Sequence, residues 1–154
     1  PHSSASPTSQ KQNKVITTNT SEYTRENESI VTLSNGDVYE KTHDELDFEF
    51  LGSRWGGQWR VQTNVYGNGS TSRGREERYL LPFDPTLEAH RYSILWAPTH
   101  IIFYVDDTPI REVVRHPGMG GDFPAKPMAV YATIWDGSAW ATEGGKYKVN
   151  YKYA

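Results

Sequence analysis

Cysteine is absent from the 154 residues, so no disulfide staples this chain, and the absence neither requires nor excludes an exported protein. Long apolar runs are absent too. Hydropathy is too low and too broken for a transmembrane span, so no membrane partner is expected. No stretch carries a helical period of apolar residues, which leaves helices without a part in the core. A charged leader followed by an apolar stretch is missing after Pro1, and the expectation is that any export signal was removed or never present. No loop has the ligand spacing of a calcium site, and neither a metal nor an organic cofactor is expected. Arg73, Arg75 and Arg78 are interleaved with Glu76 and Glu77 in a chain of net charge −3, which argues against a nucleic-acid surface. The chain has room for one core, and Gly and Pro recur along it at the short intervals of turns between short strands.

The most informative segment is His43-Asp44-Glu45-Leu46-Asp47-Phe48-Glu49-Phe50-Leu51-Gly52. Read as a β-strand, it places His43, Glu45, Asp47 and Glu49 on one face and Leu46, Phe48 and Phe50 on the other. Three like charges in a row are unfavourable and raise at least one pKa. Glycoside cleavage gives such a row a use. Glu45 and Glu49 are four residues apart, so their Cα atoms lie roughly 13 Å apart at about 3.3 Å per residue. Side chains leaning inward bring the two carboxyls into the range of about 5–5.5 Å that a retaining glycosidase needs for one ionised nucleophile and one protonated acid. Asp47, between them, can hydrogen-bond one Glu and keep the pair in different protonation states. The competing reading is a solvent-facing strand whose acids merely keep an outer face wet.

Other segments continue the alternation. Arg60, Gln62, Asn64 and Tyr66 share one face, opposite Trp59, Val61, Thr63 and Val65. The amides of Gln62 and Asn64 both donate and accept, which suits sugar hydroxyls, with cross-strand pairing as the alternative. From Pro127 to Trp135, Met128, Val130, Ala132 and Ile134 face one way and Tyr131, Thr133 and Trp135 the other. Trp135 and Trp140 are expected to stack on pyranose rings, although Trp140 also suits a cap on the core edge. Arg75 and Glu77 are expected to join the same groove. His90–Trp96, His100–Asp106 and Gly145–Tyr153 also read as strands, with a turn at Asp106–Pro109. The expected fold is all-β: a β-jelly-roll sandwich of antiparallel sheets with a concave substrate groove.

The acidic motif resembles the catalytic strand of glycoside hydrolase family 16, and its form is similar to the plant xyloglucan endotransglucosylase/hydrolases. Gln62-Thr63-Asn64, Arg75-Glu76-Glu77-Arg78, Phe83-Asp84-Pro85, Tyr92-Ser93-Ile94-Leu95-Trp96, Val105-Asp106-Asp107 with Pro109-Ile110-Arg111, and Trp135 to Gly145 follow as further landmarks. The loop Tyr66–Thr71, together with Met119–Lys126, is similar to the branch called group III. The resemblance implies Glu45 as nucleophile, Glu49 as general acid/base, Asp47 as their partner and His43 as a support behind them. It also implies sugar contacts from Gln62 and Asn64 on a β-1,4-glucan backbone. The implied enzyme is a secreted monomer of the cell wall or apoplast. It would pass a covalently held glycosyl unit from xyloglucan polysaccharide to a xyloglucan oligosaccharide acceptor or to water.

Residues 1–29 read differently. Val15, Ile16 and Tyr23 are the large apolar residues there, in a background of Ser, Thr, Asn, Gln and charge, which predicts a disordered or loose arm before a partial domain over 30–154. The chain thus reads as a fragment, short of some N-terminal strands and of a C-terminal extension, and the sandwich as incomplete. Pro82 stands where such enzymes usually have Trp, and Glu143 where many have Arg. Three glycosylation sequons begin at Asn19, Asn27 and Asn68. The rival to an active enzyme is a non-catalytic glucan-binding jelly roll, and retention of all three acids favours the enzyme.

Overall fold

The structure is a computed structural model that describes residues 41–51 and 58–139 with Lys146 and Lys148, and the backbone alone at 14–19 and 28–34. Among the described residues the strands are β1 (Lys14–Asn19), β2 (Glu28–Ser34), β3 (Glu45–Leu51), β4 (Arg60–Tyr66), β5 (Glu77–Leu80), β6 (Arg91–Trp96), β7 (His100–Val105), β8 (Thr108–Val114) and β9 (Ala129–Trp135). Two short 3-10 turns, Thr71–Arg73 and Pro117–Met119, complete the regular structure. The strands form two antiparallel sheets, ordered β1-β6-β7-β8 and β5-β4-β3-β2-β9. The chain is an all-β jelly-roll sandwich, as its alternating pattern predicts.

Alternation decides the packing. Leu46, Phe48 and Phe50 of β3, with Val61 and Val65 of β4, meet Tyr92 and Ile94 of β6 and Ile101, Phe103 and Val105 of β7 in one core. The Phe48 ring stands edge-on to Tyr92 at 5.7 Å and to Phe103 at 5.3 Å, the T-shaped geometry that aromatic quadrupoles prefer. Arg111 of β8 joins the sheets with polar contacts: its buried guanidinium donates to the Thr63 carbonyl at 3.0 Å and to Thr63 Oγ1 at 2.8 Å. Burial pushes the Arg111 pKa down, and the Glu77 carboxylate opposes that shift.

Two segments differ from the sequence pattern. Strand β1 lies inside the stretch that composition reads as a loose arm, and it pairs with β6 along its whole length. Backbone pairing can recruit a Thr-rich segment that offers little apolar surface. The expected core face of β9 is also only partly realised, because Val130 and Ile134 remain 47% and 56% exposed. Among the described strands β9 stands last in its sheet and pairs with β2 alone.

Candidate active site

Strand β3 lies at the centre of the five-stranded sheet, with β4 and β5 on one side and β2 and β9 on the other. Pairing fixes which side chains share its acidic face. Glu45 stands opposite Tyr66, Asp47 opposite Asn64 and Glu49 opposite Gln62, and Gln62 in turn stands opposite Arg78. On the other flank, Asp47 pairs with Thr32, which pairs with Tyr131, while Glu49 pairs with Ile30, which pairs with Thr133. The acidic face is not a wet outer surface: Glu45, Asp47 and Glu49 are 7%, 3% and 8% exposed. Burying three carboxylates together is costly, and the reading of a solvated strand face fails on that observation.

The two glutamates have different surroundings. Gln62 Nε2 donates to Glu49 Oε1 at 2.8 Å, and Arg78 Nε donates to Gln62 Oε1 at 2.6 Å. Burial raises the Glu49 pKa, the Gln62 hydrogen bond and the Arg78 charge lower it, and the Glu76 and Glu45 charges raise it; the net direction is upward. Around Glu45 the neighbours are His43 and Tyr66. His43 Nε2 lies 3.5 Å from Glu45 Oε2, longer than a good hydrogen bond, and Glu45 Oε2 has no hydrogen-bond partner among the described residues. The Tyr66 hydroxyl accepts from Asn64 Nδ2 at 2.6 Å, and its pKa is pushed up to about 12 by burial and then by the Asp47 charge. His43 meets the Tyr66 ring edge-on at 6.0 Å. One buried glutamate held toward its protonated form and a second four residues away with an oxygen not hydrogen-bonded among the described residues suit a reaction that needs an acid and a nucleophile.

Loops brace this row from one end. Asp44, 2% exposed, accepts the backbone N–H groups of Asn68 at 2.7 Å, Ala125 at 2.7 Å and Lys126 at 2.9 Å. It thereby ties the start of β3 to the 67–70 turn and to the segment leading into β9. The two loops are in close contact: a Cβ on Gly67 would lie 2.3 Å from the Asp122 carbonyl carbon. Gly69 has φ +73°, donates its N–H to the His43 carbonyl at 2.7 Å, and leaves no room for a side chain beside the Lys41 carbonyl. Arg73 and Arg75 both pair with Asp122, at 3.0 and 2.5 Å.

Of the residues singled out from sequence, His43, Glu45, Asp47, Glu49, Gln62 and Asn64 are brought together. Trp135 lies on the same face of β9, two residues beyond Thr133, and is half-buried. Trp140 and Asn27 lie outside the described residues. Asn19 ends β1 opposite Arg91, and Asn68 is exposed in its turn with φ 53°. Arg75 and Glu77 are not in the acidic row. Arg75 braces Asp122 and Ser70, and Glu77 pairs with Thr63 on the opposite face of the sheet, where it meets Arg111 at 3.4 Å. Sequence reasoning missed Arg78, Glu76 and Asp44 as parts of the site. The register Gln62↔Arg78 is the signal that places Arg78, and it is not legible from composition.

Residues 15–153 match the family described as Glycosyl hydrolases family 16. The chain is 73% identical over 122 residues to the probable xyloglucan endotransglucosylase/hydrolase protein 28 of Arabidopsis thaliana, covering 79% of this chain and 37% of that protein. It is 74% identical over 121 residues to protein 30 of the same plant, covering 79% of this chain and 35% of that protein. The chain thus spans just over a third of the length of these curated relatives. Among solved structures, the Bacillus licheniformis beta-glucanase superposes with a TM-score of 0.65 at 23% identity, covering 90% of this chain and 61% of that one, which shows a shared fold.

Proposed function

Because the chain belongs to glycosyl hydrolases family 16, we propose that it cuts and religates xyloglucan in the plant cell wall by a retaining double displacement on Glu45. The observation that carries the proposal is the pairing of Glu45 and Glu49 on one buried face of one strand in unlike surroundings. The names of the relatives that match at 73% and 74% identity supply the substrate class.

In the first step an oxygen of the Glu45 carboxylate attacks the anomeric carbon while Glu49 gives its proton to the departing glycosidic oxygen. The aglycone half leaves as an alcohol and the other half is an ester on Glu45. In the second step the Glu49 carboxylate takes a proton from an incoming hydroxyl, whose oxygen displaces Glu45 and restores the starting anomeric configuration. A xyloglucan oligosaccharide end as the incoming group gives transfer, and water gives hydrolysis. Asp47 lies between the two glutamates on the same strand face and acts as their partner. His43 and Tyr66 orient Glu45. The aromatic faces of Tyr131 and Trp135 line the path of the glucan, with Trp140 as a further stacking residue, while Gln62 and Asn64, buried with both ends of their amides bonded within the protein, act behind the sugar by holding Glu49 and Tyr66. The chain works as a monomer in the apoplast, without metal or organic cofactor.

The test is incubation of the purified chain with xyloglucan and a fluorescent xyloglucan oligosaccharide, beside a Glu45→Ala control. Label incorporation or polymer shortening that the control loses is expected. A folded chain that gives neither signal refutes catalysis and leaves a glucan-binding domain, which retention of xyloglucan in affinity electrophoresis would reveal.

A further inference from the structure

Glu49, Gln62 and Arg78 stand abreast on three adjacent strands and form a two-bond relay. Chemistry fixes the direction of both bonds. A guanidinium carries donors only, so the end of the Gln62 amide that faces Arg78 must be the carbonyl oxygen. The other end, in the same rigid plane, is then the NH2 group, and that is what Glu49 meets. With Arg78 removed, nothing in the relay prevents the amide from turning over. Its oxygen would then face Glu49 and accept a hydrogen bond from the protonated acid instead of donating one to the carboxylate.

We propose that Arg78 is a positioning residue that locks the Gln62 amide with its donor toward Glu49, and so sets which protonation state of Glu49 the site favours. The inference rests on the acid/base role assigned to Glu49 above. That role asks Glu49 to give a proton in one half-reaction and accept one in the next, so neither form can be favoured without limit. Burial and the charges of Glu76 and Glu45 push toward the protonated acid, while the Gln62 donor and the Arg78 charge oppose them. Asp47 shares the face of Glu49 on β3, and on the other flank Ile30 and Thr133 stand uncharged in the same row, with Glu28 two residues along β2 opposite Trp135. The relay is thus the principal counterweight to burial, and the lock keeps it pointed the right way. Arg78 is exposed, so its replacement leaves the core intact.

The experiment is a titration of the Glu49 side-chain carboxyl by 13C NMR, with its signal identified by its loss in Glu49→Gln. The parent chain, Arg78→Met, Arg78→Lys, Gln62→Met and the Gln62→Met/Arg78→Met pair are compared, each checked for a dispersed amide spectrum. Arg78→Met is expected to move the Glu49 midpoint to higher pH. Arg78→Lys, also a pure donor, is expected to stay near the parent. Adding Arg78→Met to Gln62→Met is expected to shift the midpoint by less than it does in the parent, because the amide through which it acts is gone. No shift in Arg78→Met, or an equal shift in both backgrounds, overturns the lock. The titration needs no turnover, so a chain that titrates as expected yet neither transfers nor hydrolyses xyloglucan refutes the proposed activity and leaves the lock standing. In an active chain, the basic limb of the kcat/KM profile of Arg78→Met moves to higher pH as well.

Discussion

Replacing Asp44 by asparagine asks what a buried carboxylate contributes when it organises loops at a distance of 24 to 82 residues along the chain. Oδ1 accepts the Asn68 N–H, and Oδ2 accepts both Ala125 and Lys126. An asparagine accepts on one side only. With its oxygen toward Ala125 and Lys126, its NH2 opposes the Asn68 N–H; turned over, it opposes two donors instead of one. The first arrangement costs less. It forfeits one bond to a charged acceptor, about 1.5–3 kcal/mol, and weakens two others that lose their charge assistance, by about 0.5 kcal/mol or more each. Lys126 Nζ lies 3.6 Å from Oδ1 on a side chain that is 39% exposed, so its ion pair adds little. Asp44→Asn is therefore expected to cost about 2.5–4 kcal/mol, and Asp44→Ala, which unpairs all three donors, more than about 4 kcal/mol. Urea unfolding followed by tryptophan fluorescence reads both, and amide hydrogen exchange reads the geometry, with Asn68 loosened more than Ala125 or Lys126. A cost below about 0.5 kcal/mol for Asp44→Asn, or faster exchange at 125 and 126 than at 68, would refute the reasoning.

Glu49 holds its proton to higher pH in the folded chain than in the unfolded one, because burial raises its pKa. The folded state then binds more protons through and above the ordinary carboxylate range, so this group subtracts stability as pH rises there. Glu49→Gln is expected to flatten that decline, measured as the urea midpoint from about pH 4 to about pH 7, and parallel curves for the two proteins would count against it. Phe48, 2% exposed and in ring contact with Phe50, Tyr92 and Phe103, is expected to cost about 3–5 kcal/mol on truncation to alanine. Calorimetry should find a large drop in Tm, and a loss under about 1.5 kcal/mol would mean that the two sheets do not close over this ring.

The sequence announces β3 with unusual clarity because its two faces carry opposite chemistry, and β4 follows for the same reason. Register is what alternation alone leaves open. Arg75-Glu76-Glu77-Arg78 contains four charges in a row, and pattern cannot say which of them faces Glu49 until Gln62 is seen opposite Arg78. The pattern assigns Arg75 and Glu77 to the groove; Arg78 and the charge of Glu76 are what the fold brings to Glu49. Asp44 was hidden for a different reason, since its partners are backbone groups and any residue type can offer them. Strand β1 was hidden because its two apolar residues, Val15 and Ile16, stand in a polar stretch, and it is the pairing with β6 that marks it as a strand. Val130 and Ile134 kept the correct face but not the expected burial, because alternation describes a strand and says nothing of its rank within the sheet.

The rank of β3 bears on how such a protein can diversify. Its backbone is bonded on both flanks, so a change that shifts it must break two ladders, whereas among the described strands β5 and β9 each pair with a single neighbour. Arg78 on β5, proposed above to adjust Glu49, and Tyr131 and Trp135 on β9, proposed to meet the polymer, stand on those freer margins. Side chains on those margins can therefore be exchanged at little cost to the backbone, whereas a change that moves the central strand disturbs pairing on both of its flanks.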